Sequence, residues 1–198
     1  MLIRVIDIVI SLSILAIFTP VLLVLILLII VLEGLPVFYK QDRVGQNFIN
    51  FRLVKFRTMT NDSDKVGLIT IGERDPRVTS IGYYLRKYKF DELPQLWNVL
   101  IGDMSLVGAR PEVEKYVNIY KKEYSFLLSR KPGLTSEASC TFSNENALLA
   151  QQENPNIFYE QVLLKKKIKM DLEMIKQFNV LTYFRVLIKT TFKLVKLA

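Results

Sequence analysis

The sequence predicts a predominantly helical α+β protein in two parts: a lipophilic segment over residues 1–35 and a compact domain over residues 36–198. Three observations carry this. Ile8 to Leu32 is a run of 25 residues without a charge, bounded by Asp7 and Glu33. Two short runs of strand-forming residues flank a polar turn between residues 37 and 54. From residue 79 onward apolar residues recur with a helical period.

The apolar run, as one straight helix, would be about 37 Å long, enough to cross a hydrocarbon core of about 30 Å. Thr19-Pro20 lies near its middle. Proline removes a backbone donor and crowds the carbonyl four residues back, so it kinks a helix. The halves Ile8–Phe18 and Val21–Leu32 would each reach about 17–18 Å, enough to enter one leaflet and return. The Thr19 hydroxyl can bond a carbonyl freed at such a kink. Hydropathy alone leaves a spanning helix and a re-entrant hairpin both open. Arg4 on one flank, with Lys40 and Arg43 on the other, favours both ends on the cytoplasmic side. A cleaved signal peptide is not expected, because its apolar core is shorter, about 7–15 residues, and is followed by small residues.

After the anchor, Val37–Tyr39 and Phe48–Val54 read as strands around the turn Asp42–Asn47. Residues 61–77 form a polar loop interrupted by Val66–Ile71. Residues 79–90 read as an amphipathic helix with Ile81, Tyr84, Leu85 and Tyr88 on one side. A second helix is expected from Asp91, its N-cap, to about Leu100, where Gly102-Asp103 ends it. A third spans Glu112 to Leu128, and a long helical pattern follows from about Ile157. At the C-terminus, about residues 180–198, Arg185, Lys189, Lys193 and Lys196 share one helix face while Phe184, Leu187, Ile188, Phe192 and Val195 fill the rest. That is the pattern of a helix lying in a membrane interface. A core-packed terminal helix with a solvated basic stripe shows the same pattern.

Composition removes several chemistries. There is no histidine, which excludes Ser-His-Asp and Cys-His catalysis and histidine metal sites. The single cysteine, Cys140, permits no internal disulfide and no cysteine zinc site. The net charge is +8, of which +7 falls in residues 165–198. Because this excess sits in a lipophilic tail, an anionic membrane surface is a better partner than nucleic acid. No P-loop or glycine-rich dinucleotide motif is present. Asp62-Ser63-Asp64 offers hard oxygen ligands, but a match this short reads better as a solvated loop.

The richest stretch runs from Ser80 to Glu112 and centres on Asp91-Glu92. Capping alone would account for an acidic pair at a helix start. Its functional reading is an aspartate kept ionised near neutral pH by the helix terminus and able to attack phosphorus. Cations must then offset repulsion between the carboxylate and a phosphate, and Lys55, Arg57, Arg77, Arg86 and Arg110 are the candidates.

These motifs, taken in order, resemble the small monotopic phosphoglycosyl transferases, the bacterial initiating sugar transferases. The resemblance covers about residues 1–135. It rests on Thr19-Pro20 in the anchor, PVFYKQDRVGQN, KFRTM (Lys55–Met59), DPRVTSIG (Asp75–Gly82), the run from Leu85 to Gly108, and Arg110-Pro111-Glu112. It implies a re-entrant helix-break-helix anchor and interfacial amphipathic helices. It also implies a catalytic domain on the cytoplasmic face of the bacterial inner membrane. Asp91 would attack the sugar-bearing phosphate of a UDP-sugar and release UMP. A polyprenol phosphate, typically undecaprenyl phosphate, would then take the phosphosugar. Glu92 would assist by positioning Mg²⁺, with Asp91 beside it, or by handling protons. Lys55, Arg86 and Arg110 would bind phosphate or nucleotide groups. Two departures stand out: Ala109 where the family often has proline, and Ser136-Glu137 where many members have Gly-Trp. The second leaves the sugar unassigned. Two competing readings are a non-catalytic membrane-anchored basic adaptor and a nucleic-acid binder, and neither uses the acidic pair.

Overall fold

A computed structural model describes residues 1–63, 67–72 and 75–195. Lys196, Asp64 and Val66, singled out in the sequence, lie outside the described residues. The fold is predominantly helical with short strands, as the patterning predicts.

Helix α1 covers Leu2–Glu33 and stays helical through Pro20. Thr19 Oγ1 donates to the Leu15 carbonyl at 2.7 Å, so it serves its own turn rather than the Ala16 carbonyl that the proline leaves without a donor. The helix is long and apolar enough to cross a membrane, and most of its surface is uncovered by protein. Each half has one covered stripe. Ile3, Ile6, Ile10, Ile14 and Leu15 pack on the main core, while Leu22, Leu25, Ile26 and Ile29 pack with Val37, Phe56, Leu85 and Phe90.

Strands β1 (Phe38–Val44) and β2 (Asn50–Phe56) form the expected antiparallel hairpin, shifted a few residues from the sequence estimate. Helix α2 (Ser80–Lys87) is capped by Thr79, whose hydroxyl accepts from Gly82 N at 3.0 Å. It buries Leu85, whereas Tyr84 of the expected apolar face stays exposed. Helix α3 (Gln95–Ile101) ends at Gly102, whose φ of 99° is left-handed, so the glycine acts as the stop its position suggested. Strands β3 (Ser105–Val107) and β4 (Gly133–Thr135) pair in parallel. Here Gly108 and Gly133 cross so closely that a Cβ on Gly133 would lie 2.0 Å from Gly108 N.

The single helix expected over Glu112–Leu128 is two, α4 (Glu114–Ile119) and α5 (Lys121–Leu127). Tyr120 breaks them with non-helical angles, and its hydroxyl reaches the Glu160 carbonyl at 2.8 Å. Short helices α6 (Glu137–Thr141), α7 (Glu145–Ala150) and α8 (Pro155–Phe158) lead through a π-turn, Tyr159–Leu163, into α9 (Leu164–Lys176). Helix α10 covers Val180–Val195. The main core is one cluster that includes Leu53, Leu96, Met104, Tyr116, Leu163 and Tyr183.

Polar ties fasten the anchor to this domain. Arg4 donates to the Val99 carbonyl and, at 2.6 Å, to that of Leu100. Buried Asp7 accepts from Leu106 N at 2.9 Å, Ser105 Oγ at 3.1 Å and Tyr183 Oη at 2.7 Å. Arg185 and Lys189 of the basic stripe pair with Glu137, and Lys193 donates to the Cys140 carbonyl at 2.6 Å. These three cations therefore lean on α6, and the apolar side chains Leu181, Ile188, Phe192 and Val195 are the uncovered face of α10.

Candidate active site

Asp91 and Glu92 sit in a 3-10 turn, Phe90–Glu92, entered through Lys89 at a left-handed φ of 60°. Pro94, not Asp91, occupies the N-cap of α3. Proline fits a helix start because its missing N–H costs nothing there. The expectation that a helix terminus keeps Asp91 ionised is therefore corrected. Its Oδ1 is buried and accepts no hydrogen bond. Burial pushes the carboxyl above the usual aspartate range, with neighbouring Lys55 pulling it back and Glu92 pushing it further up.

Glu92 has the opposite surroundings. Lys55 Nζ from β2 lies 3.1 Å from its Oε1. The Arg110 guanidinium, just after β3, grips both oxygens, with Nη1 at 3.3 Å from Oε2 and Nη2 on Oε1. Although burial opposes it, the pull of Arg110 and Lys55 holds this carboxyl well below the usual range. Two adjacent carboxyls are thus driven apart, a pattern found where one group reacts and its neighbour stays fixed. Burial lowers the Lys55 ammonium, against the attraction of Glu92.

Arg86 completes the cluster. Its Nη2 donates to Thr70 Oγ1 at 2.8 Å, while its Nη1 is buried without a partner. Buried polar atoms are almost always hydrogen-bonded. An orphan acceptor on Asp91 and an orphan donor on Arg86, whose charges attract each other, mark a place for a polar ligand. Gln95 Nε2 in the first turn of α3 is also buried and unpartnered. Sequence reading missed it, although Gln95 lies four residues after Asp91 and so near the same face.

Two of the sequence candidates are engaged elsewhere. Arg57 donates to the Glu33 and Gly34 carbonyls at 2.8 and 2.7 Å and to Asn61 Oδ1 at 3.2 Å, tying down the end of α1. Arg77 pairs with Asp75 at 2.7 Å and donates to the Ser63, Gly67 and Ile69 carbonyls, holding the loop together. Asp75 is held well below its ordinary range by that guanidinium.

Among the described residues, no group of three or more His, Cys, Asp or Glu side chains converges. A Mg²⁺ ion would take at most Asp91 and Glu92, with phosphate and water oxygens completing its shell, which suits its habit. The unpartnered Asp91 Oδ1 is a fitting hard-oxygen donor, and Glu92 would share its oxygens with Lys55 and Arg110.

Comparison with known proteins adds an independent line. A family model described as bacterial sugar transferase matches residues 1–197. The chain is 33% identical over 192 residues to the UDP-glucose:undecaprenyl-phosphate glucose-1-phosphate transferase of Escherichia coli K12, covering 94% of this chain and 39% of that protein. It is 38% identical over 135 residues to a UDP-N-acetylgalactosamine-undecaprenyl-phosphate N-acetylgalactosaminephosphotransferase of Aeromonas hydrophila, covering 67% and 32%. It is 45% identical over 118 residues to a galactosyl transferase of Streptococcus agalactiae serotype III, covering 52% and 25%. The chain spans between a quarter and two-fifths of the length of these three relatives.

Proposed function

Because the chain belongs to the bacterial sugar transferase family, we propose that it moves a sugar phosphate from a UDP-sugar to a polyprenol phosphate such as undecaprenyl phosphate. The observation that carries this is the buried, unpartnered Asp91 oxygen beside Lys55 and Arg86. An Asp91 oxygen attacks the phosphorus that bears the sugar. A P–O bond forms to the carboxylate, the bond to UMP breaks, and UMP leaves with its electron pair. The phosphate oxygen of the acceptor then attacks the same phosphorus, and the aspartyl bond breaks to regenerate the carboxylate. The acceptor phosphate attacks as an anion, and Asp91, although raised by burial, attacks as the carboxylate that the neighbouring Lys55 and Arg86 charges favour, so neither step needs a base. Arg86 Nη1 and Lys55 offset charge on the phosphates, and Arg110 fixes Glu92 while presenting the rest of its fork. Asp91 and Glu92 would hold a Mg²⁺ ion, which would supply further neutralisation of the diphosphate.

The anchor reads best as a re-entrant hairpin at the cytoplasmic face of the inner membrane. Arg4 at one end and Glu33-Gly34 at the other are both tied to the same domain. A spanning helix would put its ends on opposite sides of a core about 30 Å thick. The uncovered apolar face of α10 lies against the same surface, while Arg185, Lys189 and Lys193 hold that helix to α6.

The test is UMP release by purified protein in lipid nanodiscs, given polyprenol phosphate and a panel of UDP-sugars. Wild type yields UMP with at least one donor, and mass spectrometry finds a phosphosugar on Asp91 when the acceptor is omitted. Asp91→Asn yields neither. It keeps the fold, since Asp91 Oδ1 makes no hydrogen bond for the amide to lose. Undiminished turnover in that variant overturns the assignment, and silence with every donor favours the adaptor.

A further inference from the structure

Glu33 closes α1 and plays no part in the chemistry above. Its backbone is clamped: Arg57 Nη2 donates to the Glu33 carbonyl at 2.8 Å and to that of Gly34 at 2.7 Å. Its side chain is left over. Among the described residues, both carboxylate oxygens of Glu33 are covered yet accept no hydrogen bond. Buried polar atoms are almost always partnered, and leaving one unpaired is costly. The fold itself gives no reason for a carboxylate at this place.

Glu33 lines a cavity of about 880 Å³, with Asn61, Ser80 and Tyr84 among its other walls. Small-molecule sites run from about 300 to 1,000 Å³. The torsion that carries a glutamate carboxylate is soft, so a ligand in the cavity can draw the oxygens toward it. Asn61 Oδ1 accepts from Arg57 Nη1 at 3.2 Å, which turns the amide N–H groups of Asn61 to other uses. Ser80 and Tyr84 stand one turn apart on α2 and so share a face, and Tyr84 is 60% exposed.

The cavity adjoins the acidic pair. Arg57 lies two residues beyond Lys55 in a chain that is still extended, since Arg57 N donates to the Val37 carbonyl at 2.9 Å. Side chains two apart in an extended chain share a face and stand about 7 Å apart. Lys55 in turn lies 3.1 Å from Glu92. Charge says which part of the reactants enters. An unpartnered carboxylate repels a phosphate and calls for hydrogen-bond donors. The sugar of the donor is the uncharged part with many O–H donors, and its apolar ring face suits an exposed aromatic platform.

We propose that Glu33 is a specificity-determining residue: its carboxylate accepts hydrogen bonds from hydroxyls of the donor's sugar, which lies in the cavity against Tyr84 while the diphosphate reaches Asp91. This rests on the reading that the donor is a UDP-sugar bound at Asp91.

The experiment uses the Asp91→Asn protein in nanodiscs, which cannot turn over. UDP-glucose, UDP-galactose and UDP-N-acetylgalactosamine are the probes, and UDP, which lacks the sugar, is the control. Adding Glu33→Gln should raise the Kd of each UDP-sugar that binds about tenfold, the margin of a charged over a neutral acceptor, and leave that of UDP within about twofold. Adding Tyr84→Ala instead should repeat the selective loss at about threefold. Unchanged or lower UDP-sugar Kd values in either variant, or a loss for UDP equal to that for the UDP-sugars, overturn the proposal. Failure of all three UDP-sugars to bind the folded Asp91→Asn protein instead overturns the donor-site reading, and this proposal with it.

Discussion

Glu92→Gln tests the division of labour within the acidic pair. The substitution keeps shape and removes one negative charge from between two cations at 3.1 Å (Lys55 Nζ) and 3.3 Å (Arg110 Nη1). At an effective dielectric constant of about 20, each contact represents about 5 kcal/mol of attraction before desolvation. Truncating one side of a buried pair typically costs about 3–5 kcal/mol, because the other charges are left without a partner. The lower figure applies, since the amide oxygen still accepts from one cation. Thermal or denaturant unfolding at pH 7 should therefore show a loss of about 3 kcal/mol. The loss should depend on pH in a fixed direction. Glu92 is held well below its ordinary value, so its stabilisation is complete above about 4.5 and fades as pH falls through the folded-state value. A second readout checks the chemistry. The Glu92 charge helps to raise Asp91, so its removal should move the acid limb of UMP release to lower pH even as the rate falls. Unchanged stability, or an acid limb that moves up, refutes the reasoning.

Other outcomes follow from the ties around the site. Arg57→Ala removes a guanidinium shared by two carbonyls at the end of α1 and by Asn61. It should cost about 2–4 kcal/mol and make residues 33–36 sensitive to protease, and a protease pattern like wild type would argue against the tie. Single cysteines placed at residues 2 and 40, with Cys140 buried, should be labelled by an impermeant reagent from the cytoplasmic side alone. Labelling from opposite sides rejects the hairpin but leaves the chemistry standing.

What could be read from the sequence was mostly local. The β1–β2 hairpin and the stop at Gly102 follow from turn chemistry and periodicity, whereas Asp91-Glu92, expected to start the helix, fall in a 3-10 turn ahead of it. Partners across the chain could not be read. Arg57 and Arg77 look like phosphate cations in their motifs, yet one caps the anchor and the other closes on Asp75. The Asp75-Pro76-Arg77 spacing was a usable hint of the second. Arg185 and Lys189 make a clean helical stripe, but nothing near them in sequence announces Glu137. The Glu112–Leu128 periodicity hid a break whose cause, the hydrogen bond from Tyr120 to Glu160, is tertiary. The state of Asp91 also escaped, because a helix start argues for an anion whereas burial without a partner argues against one.

A single oxygen of Asp7 gathers donors from Ser105 and Leu106 in β3 and from Tyr183 of α10, so one buried carboxylate rivets the foot of the anchor, a strand and the helix above it into one joint, and a substitution there would be felt in all three.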